Sequence, residues 1–183
     1  MKIIAIIFSA LCLQFSSFAQ TKYFSKDGKI SFYSKAPMEN IEAHNNKAVS
    51  VVELSSGAIE FSVLMKGFEF EKAKMQEHFN ENYVESDKFP KAGYAGKIQN
   101  PGSIKFSQDG SYPVKISGKL TMHGVTRDQP AEAVFTVKGG MVSAVSDLTV
   151  NLKDYNVQIP SLVADKISKT VKITVNVPSF KPM

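Results

Sequence analysis

The chain has 183 residues, 43% of them apolar or aromatic, with 22 Lys and Arg against 17 Asp and Glu. That length supports one domain with its own core. The lysines stand in ones and twos with no basic run, which argues against nucleic acid as a partner, and the single cysteine excludes a disulfide scaffold.

Residues 1–19 differ from the rest. Lys2 is a short basic start, Ile3 to Leu13 an apolar run, and Ser17-Phe18-Ala19 ends in small residues suited to cleavage. This is the pattern of a secretory signal peptide, too short for a permanent bilayer anchor, so residues 20–183 are expected to form the mature domain. Cys12 follows Leu11 with Gln14 to Ala19 still ahead, which is the wrong place for a lipidated cysteine. The formal charge of +5 includes Lys2, the one charged side chain of the leader, leaving +4 on the mature chain. A cationic, solvated surface of this kind permits a weak attraction to anionic membranes.

Lys26-Asp27-Gly28-Lys29 reads as a turn before a first strand through Ile30 and Phe32, and Ala36-Pro37 to Asn40 breaks pairing. Ile41 to His44 and Ala48 to Leu54 flank Asn45-Asn46, which reads as a hairpin turn, and Ser55-Ser56-Gly57 closes that unit. Ala58 to Lys66 sets Ile59, Phe61, Val63 and Met65 on one strand face. From Glu71 to Tyr83 the period changes: Met75, Phe79 and Tyr83 recur every four residues, the mark of a short amphipathic helix. Lys88-Phe89-Pro90 ends it, Gly93 to Ile98 returns to strand, Asn100-Pro101-Gly102 turns, and Ile104 with Phe106 reads as a brief strand.

Asp109 to Arg127 carries the clearest pattern. Tyr112, Val114, Ile116, Gly118 and Leu120 alternate with Pro113, Lys115, Ser117 and Lys119, as in a strand with one face on a core. At His123-Gly124 the backbone is expected to bend. Ala131 to Lys138 and Val142 to Leu152 are strands around a Gly139-Gly140 turn, and Ile167, Val171, Ile173, Val175 and Val177 read as the closing strand. Eight to ten short, half-apolar strands with no βαβ alternation make an antiparallel sandwich or barrel, which pattern alone does not separate.

The string Gly118-Lys119-Leu120-Thr121-Met122-His123-Gly124-Val125-Thr126-Arg127 resembles the GxLTxHGVT segment of the YceI-like family of periplasmic proteins. Met75 to Pro90, containing His78 and Phe79, is similar to that family's helix and following loop, and Asp154 to Pro160 to its late aromatic and Ile-Pro turn. The resemblance spans about Leu64 to Val177. It implies an all-β, lipocalin-like antiparallel barrel of about eight strands with one short helix, located in the periplasm. It also marks His78, Phe79, Pro90, Gly118, Thr121, His123 and Gly124 as motif positions.

Inward candidates are slender, among them Val114, Ile116, Gly118, Ala133, Ala144 and Val171, while Phe61, Phe106, Tyr112 and Phe135 are bulky. By themselves these side chains either pack on one another or leave room for one ligand. The resemblance implies the second: a binding protein for an isoprenoid quinone, polyprenyl compound or fatty lipid, lying against Phe61, Phe106, Tyr112, Val114, Ile116, Phe135 and Val171. At about 0.8 kcal/mol per buried methylene against an association cost of about 4–15 kcal/mol, a few carbons barely hold, whereas a tail of about twenty or more carbons can. A homodimer and transient contact with a membrane surface are further expectations.

His78 with Glu81, and His123, offer metal-ligand chemistry, but a site needs three or four converging ligands and no HExxH occurs. A hydrolase would need a nucleophile elbow, and none is present. Catalysis, metal and cofactor are therefore not expected. A dry barrel acting through its surface is the other alternative.

Overall fold

The computed structural model describes residues 22–183, so the leader assigned to residues 1–19 lies outside the described residues. The long strands β1 (Lys22–Lys35) and β2 (Asn40–Glu53) form a hairpin whose reversal is Ala36 to Glu39. Strand β3 (Ala58–Leu64) pairs with β2, and a two-residue β4 (Glu69–Phe70) adds to it near Ala43. Helix α1 (Ala73–His78) continues into a π turn over Phe79–Tyr83. Then come β5 (Lys91–Ile98), β6 (Gly110–Met122), β7 (Val125–Asp128), β8 (Ala131–Lys138), β9 (Met141–Asn151) and β10 (Thr170–Pro182).

Eight strands close antiparallel in the order β1-β10-β9-β8-β6-β5-β3-β2, with β2 returning to β1. The sheet is therefore a barrel, which removes the open edges a sandwich would keep. The alternation read along β6 is the alternation observed: Val114, Ile116, Leu120 and Met122 are buried, and Lys115, Ser117 and Lys119 are exposed.

The fold departs from the sequence expectation at two strings. Lys26 to Lys29 and Asn45-Asn46 are not turns; both lie inside continuous strands, where the register shifts between Ser25 and Gly28 and again between Gly28 and Ile30. One extra residue on β1 is followed by one on β2, so the two bulges cancel and the hairpin stays in phase while it bends around the barrel. A Cβ on Gly28 would stand 2.8 Å from the Ala48 carbonyl oxygen, which is why glycine occupies the bend. Asn45 is buried there because its amide donates to the Leu64 carbonyl (3.0 Å) and its oxygen accepts the Lys47 N–H (2.9 Å). A third reading also fails: Ile104 and Phe106 form no strand, because no neighbour pairs with them. Ile104 is buried and Phe106 packs edge-on against Tyr23 at 4.6 Å.

The interior divides along the barrel axis. One end is filled by Val52, Ile98, Ile104, Val114, Val137 and Val142, with Val177, Phe135 and Phe180 at its inner limit and Phe135 stacked on Phe180 at 5.9 Å. The other end holds a separate cluster around Val63, Met65, Phe68, Leu120, Val150 and Val171.

Candidate functional site: an apolar cavity in one half of the barrel

A cavity of about 420 Å³ occupies the upper half of the barrel. Its depth follows the inward positions of β10: Val171, Ile173, Val175 and Val177 all line it. Phe135 and Phe180 form its floor. The wall is almost wholly aliphatic and aromatic, as expected where alternating inward residues of closed strands face a space they do not fill.

The mouth is framed by three segments. From the helical excursion come Met75, His78, Phe79 and Tyr83, all of which line the cavity, so the every-fourth-residue stripe is the face turned inward. Phe79 stacks on Phe32 at 5.5 Å and lies within 5.0–5.7 Å of Phe68 and Phe70, which builds an aromatic collar. The β1–β2 loop supplies Glu39, whose carboxylate accepts a bond from Lys72 Nζ at 2.9 Å and ties the loop to the start of α1. This partner pushes the Lys72 ammonium pKa above its ordinary value. The third segment, residues 161–169, supplies Val163, Lys166 and Ile167. Polar side chains in the lining are few: Ser34, Glu39, His78 and Lys166 belong to the segments at this opening, and Ser62, Ser146 and the hydroxyls of Tyr83 and Tyr94 are the others.

Tyr94 lies against the inner wall. Gly96 and Gly118 face each other across β5 and β6, and a Cβ on either would run into the Tyr94 ring. Its hydroxyl donates to the Gln129 carbonyl at 2.9 Å. Burial raises the pKa of Tyr94 and of Tyr83 above the ordinary phenol value.

Among the residues singled out from the sequence, Phe61, Ile116, Phe135 and Val171 line the cavity, as do His78 and Phe79. Phe106, Tyr112 and Val114 stand outside it, in or against the packed end. The reason is polarity: β6 begins at Gly110 in the filled half, so its first inward positions point into the floor and only Ile116, Leu120 and Met122 reach the open half. Phe32, Phe68, Phe70, Tyr94, Leu148 and Val150 line the cavity and were not picked out. The alternation of Phe32 and the Phe68-x-Phe70 spacing carried that signal.

The remaining motif residues hold the frame. His123 and Gly124 both have positive φ (51° and 73°) and make the two-residue reversal between β6 and β7, confirming the bend. The His123 ring bridges the Tyr155 carbonyl oxygen (Nδ1, 3.0 Å) and the Glu85 carboxylate (Nε2, 2.8 Å), and stands edge-on to Phe89 at 4.8 Å. It thereby fastens the loop that follows the helical excursion. Pro90 accepts the Met65 N–H through its carbonyl (2.9 Å), and Thr121 shares a 2.8 Å hydroxyl bond with Thr126. His78 lines the mouth and His123 does not, so the two histidines do not share the cavity. Among the described residues no three His, Cys, Asp or Glu side chains converge as a metal site would require.

A family model described as a YceI-like domain matches residues 13–178. Among curated proteins nothing matches. Solved structures share the fold at low identity. A polyisoprenoid binding domain from Saccharophagus degradans, implicated in plant cell wall breakdown, is 11% identical with a TM-score of 0.77, over 90% of this chain and 99% of that one. BcnA of Burkholderia cenocepacia is 15% identical with a TM-score of 0.68, over 82% and 94%. The YCEI protein of Campylobacter jejuni is 14% identical with a TM-score of 0.56, over 80% and 86%.

Proposed function

The chain belongs to the YceI-like family, and on that premise we propose that it is an exported, non-enzymatic carrier that shelters the hydrocarbon tail of an isoprenoid or fatty amphiphile in the upper half of its barrel. The observation that carries this reading is the cavity of about 420 Å³, walled by apolar side chains inside a closed sheet. That volume falls in the roughly 300–1,000 Å³ range of small-molecule sites. The relation to a polyisoprenoid binding domain supports the same class of ligand.

The pose follows from this reading. The tail end lies toward Phe135 and Phe180, and the polar head stays at the mouth near Ser34, His78 and Lys166. From Val171 to Val177 the wall runs about 20 Å at about 3.3 Å per residue, or about 15 Å along the axis for a strand tilt of about 40°. An extended chain of about a dozen carbons fills that depth and contributes about 10 kcal/mol at about 0.8 kcal/mol per methylene. Against an association cost of about 4–15 kcal/mol this gives modest binding unless the polar head adds to it. The energetic argument by itself favours a tail of about twenty or more carbons. The shorter depth results from the filled lower half, and a longer prenyl tail has to fold back or leave carbons at the mouth.

The leader supports export, and in a cell with an outer membrane the protein would work in the periplasm. The test is extraction of the gently purified protein followed by mass spectrometry, with uptake of added farnesyl and polyprenyl amphiphiles as a second arm. About one amphiphile per chain is expected. Absence of bound lipid together with no uptake overturns the proposal.

A further inference from the structure

We propose that the rim of the cavity mouth is a bilayer-docking surface, with Met38 and Leu162 as the side chains that enter the membrane. Among the large apolar residues that stand in water in the described part of the chain, these two are the most exposed, Leu162 at 89% and Met38 at 67%. They lie on different loops that the fold joins. The Met38 N–H donates to the Asp165 carbonyl at 3.2 Å, and the Ser168 N–H donates to Ser34 Oγ at 3.0 Å at the base of both loops. Each is the immediate neighbour of a cavity-lining residue, Glu39 for Met38 and Val163 for Leu162. The exposed tips therefore frame the opening itself.

Neither side chain has a role in the packing. Both cap short turns, the β1–β2 loop and the 3₁₀ turn Ser161–Val163, where a polar residue serves equally well. Two exposed apolar tips beside an apolar cavity are explained by a partner that is itself apolar at that point. The charges of the rim indicate which apolar partner. Across residues 35–39, 71–81 and 161–169, Lys35, Lys72, Lys74, Lys166 and Lys169 are matched by Glu39, Glu71, Glu77, Glu81 and Asp165. With five charges of each sign, the rim has no net field to steer it to an anionic patch, so insertion of the tips has to carry the contact. A lipid bilayer meets that requirement, because insertion lets a hydrocarbon tail pass from membrane to cavity without crossing water. Among the described residues no helix is long and apolar enough to cross a membrane. This inference rests on the cavity accepting a lipid, and it adds where and how that lipid enters.

The experiment is co-sedimentation of the protein with phosphatidylcholine vesicles, for the wild type, a Met38→Ser/Leu162→Ser variant and a Met141→Ser control. Met141 is also 59% exposed but sits at the β8–β9 turn of the filled end. The wild type and Met141→Ser are expected to sediment with vesicles at 0.05 and 0.5 M salt alike. Each rim substitution lowers the partition coefficient by about tenfold, so the double variant loses about 100-fold. Its melting temperature and its uptake of a soluble farnesyl probe stay unchanged, which separates failure of docking from failure of the carrier reading. No vesicle association of the wild type, an equal loss in Met141→Ser, or a wild-type dimer that the rim substitutions dissociate overturns the proposal.

Discussion

Val171 and Val137 are both buried, inward-facing valines of the barrel wall, 6% and 2% exposed, yet one borders the cavity and the other the packed end. Replacing each by phenylalanine adds the same atoms to two different surroundings. In the filled half the ring must displace neighbours, and overpacking of this kind costs about 1–3 kcal/mol. For a domain of this size the Val137→Phe protein is expected to melt about 2–12 °C lower. In the open half the ring enters space no side chain occupies, so the melting temperature of Val171→Phe should stay within about 2 °C of wild type. The added ring takes the room of about four methylenes of the ligand, which at about 0.8 kcal/mol each is about 3 kcal/mol, or roughly a 100-fold loss of affinity. Thermal melts of the lipid-free proteins and calorimetric titration with a farnesyl or dodecyl amphiphile read both effects. Equal destabilisation by the two substitutions, with affinity unchanged in Val171→Phe, would refute the division of the interior into a filled and a vacant half.

Gly118→Ala places a methyl against the Tyr94 ring, and the expected cost is about 1–3 kcal/mol in urea unfolding. Adding Tyr94→Leu to that variant should recover part of the loss, because the clashing ring is gone. His123→Ala removes the bridge between Glu85 and Tyr155, a loss of about 1–3 kcal/mol. Hydrogen exchange should then quicken at the Ser86, Lys88 and Phe89 amides, with amides of β8 and β9 unaffected. Asp147 accepts bonds from the Thr174 hydroxyl and Lys172, which lower its pKa below the ordinary carboxylate value. Its contribution is therefore present above about pH 4 and is lost as the pH falls through the lowered value. Asp147→Asn should be slightly less stable than wild type at pH 7, and the difference should shrink as the pH falls through that lowered value, as read by denaturant midpoints.

The legible parts of this chain are those where one residue pattern admits one geometry. His123-Gly124 and Gly139-Gly140 each sit between alternating runs, and each forms a reversal with both residues at positive φ. The β6 alternation and the Met75, Phe79, Tyr83 stripe likewise place their apolar faces inward. Turn-rich strings are ambiguous, because the same glycine and asparagine that reverse a chain also relieve a bulge. Lys26 to Lys29 and Asn45-Asn46 are such cases, decided by Gly28 meeting Ala48 and Asn45 reaching Leu64. The site was only half readable for a similar reason. Alternation tells which residues face inward, but not which end of the barrel is filled. That depends on strand register around the whole ring, so Tyr112 and Val114 look like Ile116 in the sequence and lie at different depths in the fold. Glu39 and Lys166 at the mouth belong to loops with no periodic signal.

A crystal structure of the protein with an alkyl amphiphile brominated at its tail end would show whether the barrel interior takes the hydrocarbon. Anomalous density is expected inside the barrel beside Phe135 and Phe180, with the polar head at the mouth near His78 and Lys166. Bromine density confined to the outer surface, with the upper lumen closed by collapsed side chains, would contradict that expectation.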